Sequence, residues 1–176
     1  MEAKSLQNEA FSDLEASQIL KSLLKAVQYI HQKDIVHRDL KPANILIEDI
    51  NDFSTVKITD FGLSAMISEY SSKFFTEQCG TPMYMAPELI ENKVYSKVKK
   101  LRLSLMNINN SSKPVDIWSC GIIMFWLLTR GIHPFQARTK EELIKEIIKC
   151  EWKFPETFSE FFSLNLFIYE ENGVFH

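Results

Sequence analysis

The chain has 176 residues, of which 45% are hydrophobic and 24% charged, with a net charge of −3. That length suits one domain with room for a sizeable core. The slightly acidic balance excludes a broad nucleic-acid footprint, which needs a clear basic excess.

Met1 to Asp13 is polar and lacks an apolar core of signal-peptide length. Ser12 with Glu15 three residues later makes a capping box. After it Ile19, Leu20, Leu23, Leu24, Val27 and Ile30 recur at helical spacing, with Lys21, Ser22, Lys25 and Gln28 on the other face. The pattern predicts an amphipathic helix from about Leu14 to Gln32. Ile45-Leu46-Ile47 and Val56-Lys57-Ile58 read as two short strands, joined by a polar hairpin loop from Glu48 to Thr55.

Ser64 to Pro87 carries little periodicity but holds Gly80, Pro82 and Pro87, and reads as a long functional loop. Ile117 to Leu128 is the longest apolar run, too short to span a bilayer. Val115 to Leu128 is expected to be a helix buried on all sides, stopped by Gly131 and Pro134. Thr139 with Glu142 starts another capped helix, with Leu143, Ile144, Ile147 and Ile148 facing inward. Three widely spaced cysteines, Cys79, Cys120 and Cys150, fit neither a disulfide framework nor a metal knuckle, so a reducing, cytoplasmic or nuclear setting is expected.

The segment that carries chemistry is His37-Arg38-Asp39-Leu40-Lys41-Pro42-Ala43-Asn44, followed by Asp60-Phe61-Gly62. It orders a proton acceptor (Asp39), a cation (Lys41) and two hard oxygen ligands (Asn44 and Asp60) around a loop and a hairpin. Such ligands suit Mg²⁺, which keeps phosphates as its remaining partners. The two intervening strands are expected to hold them rigidly, at opposite ends of the hairpin. Any one of these residues alone reads as part of a solvated loop; the whole spacing is the equipment of phosphoryl transfer, where positioning and charge neutralisation do the catalytic work.

This stretch resembles the catalytic loop and metal-binding motif of eukaryotic serine/threonine protein kinases. Cys79-Gly80-Thr81-Pro82-Met83-Tyr84-Met85-Ala86-Pro87-Glu88 resembles the end of their activation segment. His133-Pro134-Phe135 and Trp152-Lys153-Phe154-Pro155 are most like the calcium/calmodulin-dependent kinase group. The resemblance implies that Asp39 accepts the proton of the substrate hydroxyl. It also implies that Lys41 neutralises the transferred phosphoryl group, that Thr81 touches both, and that Leu46 lies under the adenine ring of ATP. His37 and Phe61 would belong to a packed column, and Arg38 would pair with a negative group on the activation loop. Glu77 would be a carboxylate where relatives carry a phosphate, or simply a solvated charge, with Thr76 as the fallback phosphosite. Asp116 would brace backbone N–H groups of the catalytic loop. Glu88 would lack its partner, because no arginine follows Trp152.

The fold expected from the resemblance is mainly α with a small β-hairpin (α+β). It is a kinase-like C-terminal lobe lacking the N-terminal lobe, since no glycine-rich loop or Val-Ala-Ile-Lys-like strand precedes the catalytic loop. Residues 1–176 would form this partial catalytic domain, with an atypical insert at 97–112 and a divergent tail at 161–176. Removing the insert joins Tyr95-Ser96 to Lys113-Pro114-Val115-Asp116, as in the uninterrupted pattern; it is either a surface insertion or translated intron sequence. The implied activity is transfer of the ATP γ-phosphate to Ser or Thr hydroxyls of a protein or peptide, with Mg²⁺, and with neither nucleic acid nor membrane as partner. Negligible turnover is expected from the chain by itself. The alternative is a non-catalytic adaptor or pseudokinase-like module.

Overall fold

A computed structural model describes residues 4–5, 11–49, 51–66, 80–94 and 113–153, excepting the side chains of 4, 5, 54 and 91–94. Thr76, Glu77, Cys79, the insert at 97–112 and the tail at 161–176 lie outside the described residues. In chain order the elements are β1 (Lys4–Ser5), α1 (Asp13–Gln32), β2 (Ile35–Val36), β3 (Ile45–Asp49), β4 (Asp52–Ile58), β5 (Ala65–Met66), α2 (Pro87–Val94), α3 (Pro114–Leu128) and α4 (Lys140–Lys149). The described residues are thus mainly helical with small sheets, as expected.

Helix α1 starts where the capping box predicts. The Ser12 backbone N–H donates to the Glu15 carboxylate at 2.7 Å, and the Glu15 N–H donates back to Ser12 Oγ. Ala16, Ile19, Leu23, Val27 and Ile30 are buried against β4 and α3. Leu24, expected inside, is 39% exposed. Its 100° advance from Leu23 carries it off the core stripe, which is only about two residues wide per turn.

Strands β3 and β4 pair antiparallel, with Ile45 opposite Ile58 and Ile47 opposite Val56; β1 joins the other edge of β3. The hairpin is tighter than the polarity of 48–55 suggested, because strand pairing continues to Asp49 and Asp52. Side chains supply the donors and acceptors at this end: Asn51 N–H donates to Asp49 Oδ1 at 2.9 Å, and Asp49 N–H to Thr55 Oγ1 at 3.0 Å. Polar residues here form strand as readily as loop, since one face is solvated. A second ladder, β2 with β5, pairs Val36 with Ala65 and Ile35 with Met66. Two residues per strand are too few for a periodic signal, so this ladder was not foreseeable.

Helix α3 carries the core residues Val115, Ser119, Ile122, Ile123, Phe125 and Leu127, but it is not buried all round. Ile117 is 51% exposed and Met124 39%. The helix ends in a Schellman pattern: Gly131 N–H donates to the Trp126 carbonyl at 2.8 Å and Arg130 N–H to Leu127 at 3.3 Å. The left-handed residue at this stop is Arg130 (φ 55°), with Gly131 at φ 96°. On α4, Thr139 caps as predicted by accepting the Glu142 N–H at 3.2 Å, and Ile147 is fully buried. Among the described residues no helix is long and apolar enough to cross a membrane.

Truncating the fully buried Leu23 to alanine removes core contacts and leaves a cavity, so Leu23→Ala is expected to cost about 2–5 kcal/mol. Leu24→Ala, one position on, is expected to stay within about 0.5 kcal/mol. Urea unfolding of the two variants checks the assignment of faces, and equal losses would overturn it.

Candidate active site

The site begins with a carboxylate that has no business in a core. Asp116, in the first turn of α3, is 0% exposed. An unpaired charge there would be costly, and the structure supplies three donors. The backbone N–H of His37 donates to Oδ2 at 2.9 Å, the backbone N–H of Arg38 to Oδ1 at 2.9 Å, and His31 Nε2 lies 2.8 Å from Oδ2. The expected brace on the 37–38 backbone is therefore present. The His31 contact was missed; nothing in the pattern of α1 marks its last-turn histidine as a partner for residue 116.

This brace holds the loop in a conformation it would not choose. Arg38 has φ 69°, disfavoured for a residue with a Cβ. The His37 ring is buried and used at both nitrogens. Nε2 lies 2.9 Å from the Thr59 carbonyl, and Nδ1 accepts the Asp39 N–H at 3.3 Å. A carbonyl only accepts, so the ring hydrogen is assigned to Nε2. His37 is therefore occupied as a structural link, and it stacks edge-on against Phe61 with centroids 4.9 Å apart. Arg38 Nε donates to the Leu63 carbonyl at 2.6 Å, tying the loop to the turn after Asp60.

Asp39, Lys41 and Thr81 meet as predicted. Lys41 Nζ donates to Asp39 Oδ2 at 2.7 Å and to Thr81 Oγ1 at 2.9 Å. Thr81 gives Asp39 Oδ1 both its backbone N–H and its hydroxyl, each at 2.8 Å. Gly80 makes this approach possible. At φ 102°, an added Cβ would lie 2.7 Å from the Arg38 carbonyl, so a side chain there would push Thr81 off the loop.

Asn44 Nδ2 donates to the Asp39 carbonyl at 2.9 Å and lies 3.4 Å from Asp39 Oδ2. The Asn44 carbonyl accepts the Thr59 N–H at 2.9 Å, beside the Ile45–Ile58 pair. Asn44 and Asp60 therefore stand together at the open end of the β3–β4 hairpin, not at opposite ends. An antiparallel pair necessarily returns its last residue beside its first. Asp60 is exposed, with φ 60° and ψ 69°, and its Oδ1 accepts the Gly62 N–H at 3.3 Å.

With its N–H committed to Asp39, Asn44 presents its amide oxygen, and Asp60 presents a carboxylate. One amide and one carboxylate oxygen are a hard donor set that fits Mg²⁺ shared with phosphates. Among the described residues no group of three His, Cys, Asp or Glu could enclose a metal, so phosphate oxygens or waters must complete any shell. Leu46 is half-buried and alternates with the buried Ile45 and Ile47, so it lies on the sheet face opposite the core. Glu88 is exposed in the first turn of α2, where the helix dipole favours a carboxylate.

Burial pushes the Asp39 carboxyl upward, but the Lys41 hydrogen bond, the two from Thr81 and the Lys41 charge outweigh it. The net result lies below the ordinary value of 3.8. A depressed carboxyl stabilises the fold above its ordinary value, and that stability disappears as pH falls through the lower folded value. Thr81→Val removes one donor. Its stability deficit relative to the wild type is expected to be constant near neutrality and to shrink as pH drops below about 4. The Asp39 carboxyl, followed by NMR titration, should move up in this variant; a wild-type Asp39 titrating above the ordinary value would contradict the geometry.

The sequence profile of the protein kinase domain matches residues 1–166. The chain is 36% identical over 154 residues to CBL-interacting serine/threonine-protein kinase 21 of Arabidopsis thaliana, covering 88% of this chain and 32% of that protein. It is 41% identical over 157 residues to serine/threonine-protein kinase 33 of Mus musculus, covering 84% and 28%. With myosin light chain kinase A of Dictyostelium discoideum it shares 34% identity over 155 residues, 88% of this chain and 46% of that one. The chain thus spans less than half the length of each of these relatives, which include kinases like those of the calcium/calmodulin-dependent group. A loop that gathers Asp39, Lys41 and Thr81 beside Asn44 and Asp60, and a profile match over nearly the whole chain, agree: the chain belongs to the protein kinase family, among the serine/threonine kinases.

Proposed function

We propose that residues 1–176 form the helical, substrate-facing part of a serine/threonine kinase catalytic unit. Its reaction is transfer of the γ-phosphate of ATP to a Ser or Thr hydroxyl of a protein or peptide. The observation that carries this reading is the Asp39–Lys41–Thr81 cluster, a carboxylate and an ammonium 2.7 Å apart with a hydroxyl on both.

In this reading Asp39 orients the incoming hydroxyl and takes its proton. A carboxyl held below the ordinary range is a weak base, so the proton moves late, as suits a loose, metaphosphate-like transition state. Lys41 stays charged beside it and offsets negative charge on the moving phosphoryl group. Asn44 and Asp60 would hold the magnesium ion, whose contribution when bound is to neutralise the phosphates of ATP. Leu46, on the open face of β3, would lie under the adenine.

Neither the described residues nor the five scattered glycines of the sequence supply a phosphate-gripping loop. The chain by itself is accordingly expected to bind nucleotide weakly and to turn over little substrate. The adaptor alternative has less support, because a scaffold has no physical need for Asp39, Lys41, Asn44 and Asp60 in one cluster. Cytoplasmic or nuclear placement belongs to the same proposal and rests on the free thiols of Cys120 and Cys150.

Weak binding is still measurable. Mn²⁺ with a non-hydrolysable ATP analogue is expected to broaden the NMR signals of Asn44 and Asp60 first, and Asp60→Asn should abolish the effect. Broadening centred elsewhere would sink the assignment. Any peptide phosphorylation detected with ATP should fall by about 10²–10⁴-fold in Asp39→Asn.

A further inference from the structure

We propose that the cleft between the loop after α3 and the segment after α4 is a docking site for an arginine-bearing segment of a partner protein. The cleft encloses about 770 Å³, and its lining includes His133, Gln136, Glu146, Glu151, Trp152 and Lys153. That volume falls within the ~300–1,000 Å³ of ordinary ligand sites. Its walls are fixed before anything binds. Thr129 Oγ lies 2.7 Å from the Phe125 carbonyl and 2.9 Å from the Ile132 carbonyl, and Gln136 Nε2 donates to the His133 carbonyl at 3.1 Å. The Gln136 N–H donates to Glu146 Oε2 at 3.1 Å, which ties the loop to α4 and fixes where that carboxylate stands. Trp152 packs edge-on against the buried Phe125, with centroids 5.7 Å apart, yet stays 48% exposed.

The chemistry of the lining selects the occupant. Glu146 and Glu151 bring two carboxylates and Lys153 one ammonium, while His133 adds no charge near neutrality because burial holds its ring below the usual 6.5. An anion is therefore disfavoured. A metal is too, since among the described residues no three His, Cys, Asp or Glu stand close enough to hold one. Glu151 is only loosely claimed, with Lys149 Nζ at 3.9 Å and both side chains well exposed. An exposed indole beside carboxylates suits a guanidinium, whose plane stacks on the ring while its fork of N–H groups meets the oxygens. A lysine ammonium has the charge without the plane or the fork. The chain's own residues after Lys153 hold four glutamates (Glu156, Glu160, Glu170 and Glu171) and no lysine or arginine, so they do not supply the cation. His133 Nε2 lies 3.3 Å from Tyr84 Oη, three residues beyond Thr81. Under the kinase reading, a protein seated in the cleft lies beside the cluster that receives its hydroxyl; the docking itself is independent of that reading.

The test uses the full chain without nucleotide, so its failure leaves the kinase reading standing. The probe is the capped peptide Ala-Arg-Ala-Ala-Arg-Ala, titrated into ¹⁵N-labelled protein and followed by NMR. The Trp152 indole N–H and the Gln136 and Glu151 amides are expected to shift together, while the Asp39 and Asp60 amides stay in place. The same peptide with lysine for arginine should bind about fivefold or more weakly. Glu151→Gln should weaken arginine binding about three- to fivefold. Trp152→Leu, which keeps apolar bulk against Phe125, should weaken it about three- to tenfold. Lys153→Ala removes the one like charge and should tighten it. Equal affinity for the two peptides, shifts centred on Asp39 and Asp60, or no shift at about 10 mM peptide would overturn the proposal. So would movement of the same three signals with protein concentration alone and a doubled mass in ultracentrifugation, since the occupant would then be a second copy of the chain.

Discussion

A carboxylate taken out of water is held only by the donors that surround it, and Asp116 is the point where that requirement shapes this chain. Its oxygens collect two amides of the catalytic loop and a ring nitrogen of α1. Losing any one leaves charge or polarity uncompensated in the interior. Apolar packing of α1 on α3 brings the elements together, but it is tolerant of small slides. The hydrogen bonds to one carboxylate are directional, and they convert loose proximity into a fixed loop. A left-handed Arg38 persists only because the surrounding structure over-determines it.

The active cluster repeats the same physics at a partly open surface. Asp39 is desolvated, yet stays ionised because Lys41 and Thr81 donate to both of its oxygens. Thr81 reaches it because Gly80 lets backbone pass close to backbone. Asn44 is tied to Asp39 on one side and to Thr59 on the other, so the loop and the end of the hairpin share one rigid body. The charges also divide: a paired carboxylate and ammonium lie in the loop, and an exposed carboxylate, Asp60, at the end of the hairpin.

Much of this was legible in the residues alone. Short-range rules decided the caps: Ser12 with Glu15, and Thr139 with Glu142, each needed only three residues of context. Helical periodicity placed α1 within a residue or two, and the cap at Thr139 placed the start of α4. Asp39, Lys41, Asn44 and Asp60 stood out as a candidate site because acid, cation and oxygen-ligand residue types lie at close spacing. Even the meeting of Thr81 with Asp39 and Lys41, some 40 residues away, followed from family resemblance. Local rules could not have supplied it.

What the chain determined by itself was therefore local conformation and chemical identity, because capping, periodicity and ligand type act over one or two turns. Tertiary structure decided the rest. It chose His31 as partner to Asp116, 85 positions apart. It exposed Leu24, Ile117 and Met124 despite their apolar character, because a helix buries only the face its neighbours reach. It formed the two-residue ladder of β2 and β5. Each of these depends on where distant segments cross, and pairing energies between distant segments leave no mark on the order of residues within either one.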